Sequence, residues 1–211
     1  MNDELAARVE SAGMVLAGSL LAVNPAARFD AARGLWARGA WAHADVIGGG
    51  YGSRPSVTLD EIRALAAAGG PVDVHLMVDD VVGWLEALPT GLARVTIQSE
   101  RLETDIGRLI ALGRQRADAV WVGVDTAVAP TPQAVTGADG VLHMLVPPAV
   151  PGHSLDPQRL AALRADGGRP VGVDGGVRAS DVGAIARSGA SYVVVGRSLF
   201  TGPAAQKETS R

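Results

Sequence analysis

Short apolar runs alternate with helix-like segments along nearly the whole chain. The apolar runs fall at residues 14–21, 41–47, 72–77, 93–97, 119–124, 141–146, 170–173 and 191–195. They are rich in Val, Ile and Leu, and several are apolar at successive positions, so both faces would be covered. Strands of a buried parallel sheet read this way. Between them, apolar residues recur every three or four positions at 26–38, 59–68, 81–88, 102–116, 160–165 and 181–188, which predicts amphipathic helices. The segment 131–136 is a weak helix, and the helix expected after Gly196 is short. Gly39, the pair Gly69-Gly70, the pair Gly167-Gly168 and Gly189 each sit between a helical pattern and the next apolar run, as helix-terminating glycines do.

Eight such units in 211 residues leave about 26 residues each, near the lower size limit of a (β/α)8 barrel. The rival is an open doubly wound sheet, which carries a glycine-rich phosphate fingerprint after its first strand. Here that stretch reads Leu21-Ala22-Val23-Asn24-Pro25, with no such fingerprint. The expected architecture is therefore a single-domain α/β TIM barrel over residues 1–211, with an amphipathic helix at 1–13 and a polar tail at 203–211.

Composition narrows the chemistry. A formal net charge of -3 offers no basic field for nucleic acid or for an anionic membrane. No run approaches about 18 uninterrupted apolar residues, so no membrane span is expected. Residues 1–13 carry both charge signs and lack the apolar run of a secretory signal, so a cytoplasmic protein is expected. With no cysteine, disulfides, thiolate catalysis and Cys-type zinc sites are excluded. The one lysine, Lys207, lies in the polar tail, which removes Schiff-base chemistry.

In this fold the C-terminal ends of the strands build the active site. The second expected strand ends in His43-Ala44-Asp45, the third in Asp73-Val74-His75, and the seventh in Val173-Asp174. Residues two apart share a strand face, so His43 and Asp45 point the same way. Two histidines and two carboxylates suit Zn²⁺, Fe²⁺, Mn²⁺ or Co²⁺ better than Mg²⁺. A lone polar residue inside a barrel is a satisfied core group more often than a ligand, but three strand ends carry such residues in a chain with only 4 histidines. Gly175-Gly176 after the seventh strand and Gly196-Arg197-Ser198 after the eighth stand where barrels often bind phosphate.

These residues, with Gly18-Ser19-Leu20-Leu21, Val72-Asp73-Val74-His75-Leu76-Met77, His143-Met144, Val173–Val177 and Gly196–Phe200, resemble ribulose-phosphate 3-epimerase from about residue 14 to 200. The resemblance implies a barrel of the ribulose-phosphate-binding type. It also implies metal-dependent interconversion of D-ribulose 5-phosphate and D-xylulose 5-phosphate through an enediolate, in carbohydrate metabolism. By match, the metal ligands are His43, Asp45, His75 and Asp174, with Asp45 and Asp174 as acid and base. Ser19, His75, Met77, Met144, Gly152, Gly175, Gly176, Gly196, Arg197 and Ser198 fall on substrate-contacting positions. The implied partner is a small phosphorylated ketose; family members form dimers and hexamers, and a homo-oligomer stays open.

The chain departs from the family around the mouth. Ile47 and Gly48 replace a methionine and an aspartate, Gln98 replaces a histidine, and the loop at 51–55 is altered. A glycine-rich lid becomes Pro148-Ala149-Val150-Pro151-Gly152-His153, which predicts a stiffer lid with fewer N–H donors. An epimerase of a related ketose phosphate, such as allulose 6-phosphate, and a non-catalytic phosphosugar-binding barrel remain the alternatives.

Overall fold

In a computed structural model of the chain, describing residues 1–102, 104–127, 135–150, 152–163 and 168–200, eight parallel strands close into a barrel in chain order. The strands are β1 (Val15–Ser19), β2 (Trp41–Ile47), β3 (Val72–Met77), β4 (Leu92–Gln98), β5 (Ala117–Asp125), β6 (Gly140–Met144), β7 (Val171–Asp174) and β8 (Tyr192–Val195). Pairing of β1 with β8 closes the ring. The helices are α1 (Asp3–Ser11), α2 (Arg28–Trp36), α3 (Leu59–Ala67), α4 (Val81–Ala87), α5 (Ile106–Gly113), α6 (Pro157–Ala161), α7 (Val182–Arg187) and α8 (Arg197–Phe200). None of the described helices is long and apolar enough to cross a membrane.

Side-chain alternation sorts the strands into two apolar layers. One cluster, including Val74, Val95, Val122, Val173 and Val193, packs between the sheet and the helices. A second and smaller one, Ala17, Trp121, Leu142, Tyr192 and Val194, fills the inside of the barrel. Most strand residues on both faces are thus buried, as the apolar runs predict, with β1 and β5 exposed near their first residues. Inside, the large rings of Trp121 and Tyr192 fit because their neighbours are glycine. A Cβ on Gly140 would lie 2.3 Å from the Trp121 ring, and one on Gly172 would lie 2.8 Å from it.

Local signals set the helix bounds. Thr58 and Glu61 form a reciprocal capping box at the start of α3, and Asp80 and Asp105 cap α4 and α5 through their side chains. The expected helix at 102–116 therefore starts late, because Asp105 caps it at Ile106. The expected helix at 160–165 starts early. Asp156 caps it with Pro157 as its first residue, a stronger start signal than the periodicity. Residues 131–134, 164–167 and the tail 203–211 lie outside the described residues. At the other end, α1 buries Leu5 and Val9, and Asn2 binds the carbonyls of Ser198 and Leu199 in α8.

Candidate active site and metal centre

The register of the sheet brings the sequence-predicted ligands together. Asp45 on β2 pairs with His75 on β3, and His43 pairs with Asp73 one step lower. Asp174 ends β7 on the other side of the barrel and reaches the same point. One ligand atom from each of His43, Asp45, His75 and Asp174 lies within 4.8 Å of the others, and among the described residues this is the one group of its kind. His43 Nε2 is 3.1 Å from Asp45 Oδ1 and 3.7 Å from Asp174 Oδ2. His75 Nδ1 is 3.3 Å from Asp45 Oδ1 and 3.9 Å from Asp174 Oδ2. Both imidazoles and Asp45 are buried, while the Asp174 side chain keeps 14% exposure at the mouth.

This donor set fits a divalent transition ion. Two nitrogens and two carboxylate oxygens converge on one point, and His75 Nδ1 is buried there with no hydrogen-bond partner. Its other nitrogen, Nε2, lies 2.7 Å from Gln98 Oε1, and Gln98 Nε2 donates to Glu100 at 2.7 Å. Gly123 makes room for that pair, since a Cβ there would lie 2.3 Å from Gln98 Oε1 and 3.1 Å from His75 Nε2. Ser19 Oγ donates to Asp45 Oδ2 at 2.9 Å, which leaves Oδ1 toward the histidines.

The two carboxyls sit in opposed electrostatic settings. Burial works against ionisation of Asp45, but His43 and His75 outweigh it and hold the group well below the usual carboxylate range. Burial raises Asp174, and the negative charge of Asp45 adds to it, pushing Asp174 up to about 6. For His43, burial opposes the charge, yet Asp45 and Asp73 together hold the imidazole well above its ordinary value.

The remaining predicted residues frame the mouth. Met77 and Met144 are buried at the ends of β3 and β6, and Met144 pairs with Asp174. Gly175 and Gly176 turn the chain after β7 with φ of 115° and 68°. The backbone of His153, Ser154 and Leu155 lies against Gly176, where a Cβ would meet Leu155 N at 2.3 Å. Gly152 holds a φ of 97°, with open space where a Cβ would stand, and is not among the Gly176 contacts. Gly196, Arg197 and Ser198 follow the adjacent strand β8 and open the four-residue helix α8. In the loop after β6, Ala149 holds φ of 59°, the left-handed region that glycine adopts freely. His143 is on the opposite face of β6 from Met144, toward the helices with Val141 and Leu145, so it does not join the ligands.

The layer beneath the site is not evident in the sequence. Asp73, read only as part of a strand-end motif, is fully buried and lies 3.1 Å from His43 Nδ1. Its strand position directly opposite His43 is the signal, and it becomes visible only once the register is known.

The sequence matches the model of the ribulose-phosphate 3 epimerase family over residues 15–200. Ribulose-phosphate 3-epimerase 1 of Cupriavidus necator is 32% identical over 183 residues, covering 76% of this chain and 73% of that protein. Ribulose-phosphate 3-epimerase of Mycobacterium leprae is 28% identical over 169 residues, covering 75% of each. Among solved structures, phosphoribosyl anthranilate isomerase from Thermus thermophilus superposes with a TM-score of 0.61 at 18% identity, covering 88% of both chains. A tryptophan synthase α-subunit variant from Pyrococcus furiosus gives 0.61 at 12% identity, covering 89% of this chain and 88% of that one. These two likenesses concern the barrel fold alone. With the match spanning all eight strands, the chain belongs to the ribulose-phosphate 3-epimerase family of isomerases.

Proposed function

We propose that the protein is a metal-dependent epimerase that interconverts D-ribulose 5-phosphate and D-xylulose 5-phosphate. The observation that carries this reading is the convergence of His43, Asp45, His75 and Asp174 at the mouth of a family barrel. Inverting a carbon next to a carbonyl requires a base on one face and an acid on the other. Asp45 and Asp174 supply that pair, and their surroundings push their proton affinities apart, as acid–base partners require. Asp45 takes or returns the C3 proton on one face, and Asp174 serves the other. In the reverse direction the two exchange roles.

Ser19 holds Asp45 in position through its hydroxyl. Met77, Met144 and Ile47 form an apolar wall that keeps water from the reacting carbon. The turns at Gly175-Gly176 and Gly196-Arg197-Ser198 receive the phosphate through backbone N–H groups and the Arg197 guanidinium. His43, Asp45, His75 and Asp174 would hold a divalent ion such as Zn²⁺, Fe²⁺, Mn²⁺ or Co²⁺. Its positive charge would offset the negative charge that develops on the substrate oxygens.

The test is turnover of D-ribulose 5-phosphate by protein supplied with each of these metals in turn, beside a chelated control. Allulose 6-phosphate serves as the rival substrate. Metal-dependent formation of xylulose 5-phosphate supports the proposal. Turnover of the hexulose phosphate alone would move the activity to that sugar. No turnover of either would leave a binding role.

A further inference from the structure

Barrel interiors are ordinarily filled by layers of apolar side chains. Here a carboxylate, Asp73, lies fully buried in the layer below the ligands. Its oxygens are surrounded by donors. Tyr192 OH donates to Oδ2 at 2.9 Å, Thr96 Oγ1 donates to Oδ1 at 3.0 Å, and Arg94 Nη1 stands 3.5 Å from Oδ2. The remaining neighbour is His43 Nδ1, 3.1 Å from Oδ2.

Arg94 is itself caged. Its guanidinium lies 3.6 Å from the centre of the Trp121 ring, 4.1 Å from that of Tyr192 and 4.7 Å from that of Trp41. Its Nε finds no partner among the described residues, so the three rings and the Nη1 contact with Asp73 together hold it. A buried ion pair is weak evidence of a stabilising role, because apolar side chains of similar volume do as well. What an apolar replacement could not do is accept a hydrogen bond from His43.

We propose that Asp73 is the positioning residue of His43. It keeps the proton on Nδ1, fixes the ring plane and turns Nε2 toward Asp45 and Asp174, with Arg94 and its aromatic cage holding Asp73 in place. The inference rests on the four-ligand reading of the site. Its partner ligand, His75, is held in the opposite sense, with Nε2 on Gln98 and Nδ1 toward the site. The two histidines therefore differ in their supports, one anionic and one neutral. An anionic acceptor makes the imidazole a stronger donor to a cation.

Two measurements test this. The first is Zn²⁺ affinity of the native protein and of Asp73→Asn, by competition with a chromogenic chelator, with circular dichroism and a cooperative melt establishing the fold. Loss of such a support weakens metal binding about 10–100-fold. The second is the ¹⁵N spectrum of the His43 ring in native, Zn²⁺-loaded protein, which needs no variant. It is expected to show the proton on Nδ1. Affinity of Asp73→Asn within about twofold of native, or a native His43 ring without a proton on Nδ1, overturns the proposal. If Asp73→Asn does not fold, the ring spectrum alone decides. If the native protein binds no Zn²⁺, the four-ligand reading fails, and this inference fails with it.

Discussion

Gly123 occupies an inward position on β5 that a single added carbon would fill. In Gly123→Ala the new Cβ lies 2.3 Å from Gln98 Oε1 and 3.1 Å from His75 Nε2. The first distance is more than an ångström inside ordinary contact, so Gln98 must leave. Overpacking of this kind costs about 1–3 kcal/mol. The lower chain entropy of the unfolded alanine variant returns about 0.4–1 kcal/mol, because Gly123 has no left-handed φ to preserve. The clash wins, with a net loss of roughly 1–2 kcal/mol. For a chain of this size that lowers the melting temperature by roughly 2–8 °C. Displacing Gln98 also deprives His75 Nε2 of its acceptor, so metal affinity falls about 10–100-fold. Thermal melts without metal read the first effect, and chelator competition reads the second. Adding Gln98→Ser to Gly123→Ala removes the collision. It should restore none of the affinity, because His75 Nε2 still lacks its acceptor. A Gly123→Ala protein that melts and binds metal like the native one would refute the packing of His75, Gln98 and Gly123 described above.

Asp174→Asn should abolish turnover while the melt stays close to native, because the side chain sits at the barrel mouth rather than in the core; native turnover would contradict the two-carboxylate mechanism. Metal affinity should fall as pH drops through about 6, since Asp174 then takes a proton and His43 already holds one. A flat competition titration across that range would contradict the ligand set. Arg28→Met removes bonds from a buried guanidinium to the carbonyls of Leu20 and Ser56 and to Glu61, at a cost of about 1–3 kcal/mol by chemical denaturation. Burial acts against the charge of Glu61, but Thr58 and Arg28 hold its pKa below the ordinary value. That contribution is present at neutral pH and is lost as pH falls toward the depressed pKa. The acid loss of stability should therefore be shallower in Arg28→Met than in the native protein.

The strands were legible because burial on both faces leaves uninterrupted apolar runs, and β2 and β3 have the bounds the pattern predicts. The ligand cluster was legible because strand alternation and fold topology together place His43, Asp45, His75 and Asp174 at one end of the barrel. Their supports were not. Asp73 becomes the partner of His43 through the β2–β3 register, which neither strand carries alone. Gln98 stood out only as a departure from the family pattern, and its contact with His75 depends on the empty space at Gly123. Arg94 breaks an apolar strand with a charge, and only the three rings around it explain how it is buried. In the loop after β6, Ala149 adopts a left-handed φ, which the apolar side chain does not announce in the sequence. Such a conformation costs alanine about 1–2 kcal/mol and persists because the surrounding loop imposes it.

The proposed reaction is proton transfer at C3 by Asp45 and Asp174 at a metal-dependent barrel mouth. The most direct test is exchange of the C3 proton of D-ribulose 5-phosphate in D₂O, followed by NMR with Mn²⁺, Fe²⁺ or Zn²⁺ supplied and with a chelated control. Metal-dependent loss of the C3 proton signal is expected as xylulose 5-phosphate appears. A folded, metal-loaded protein that leaves that proton in place would contradict it.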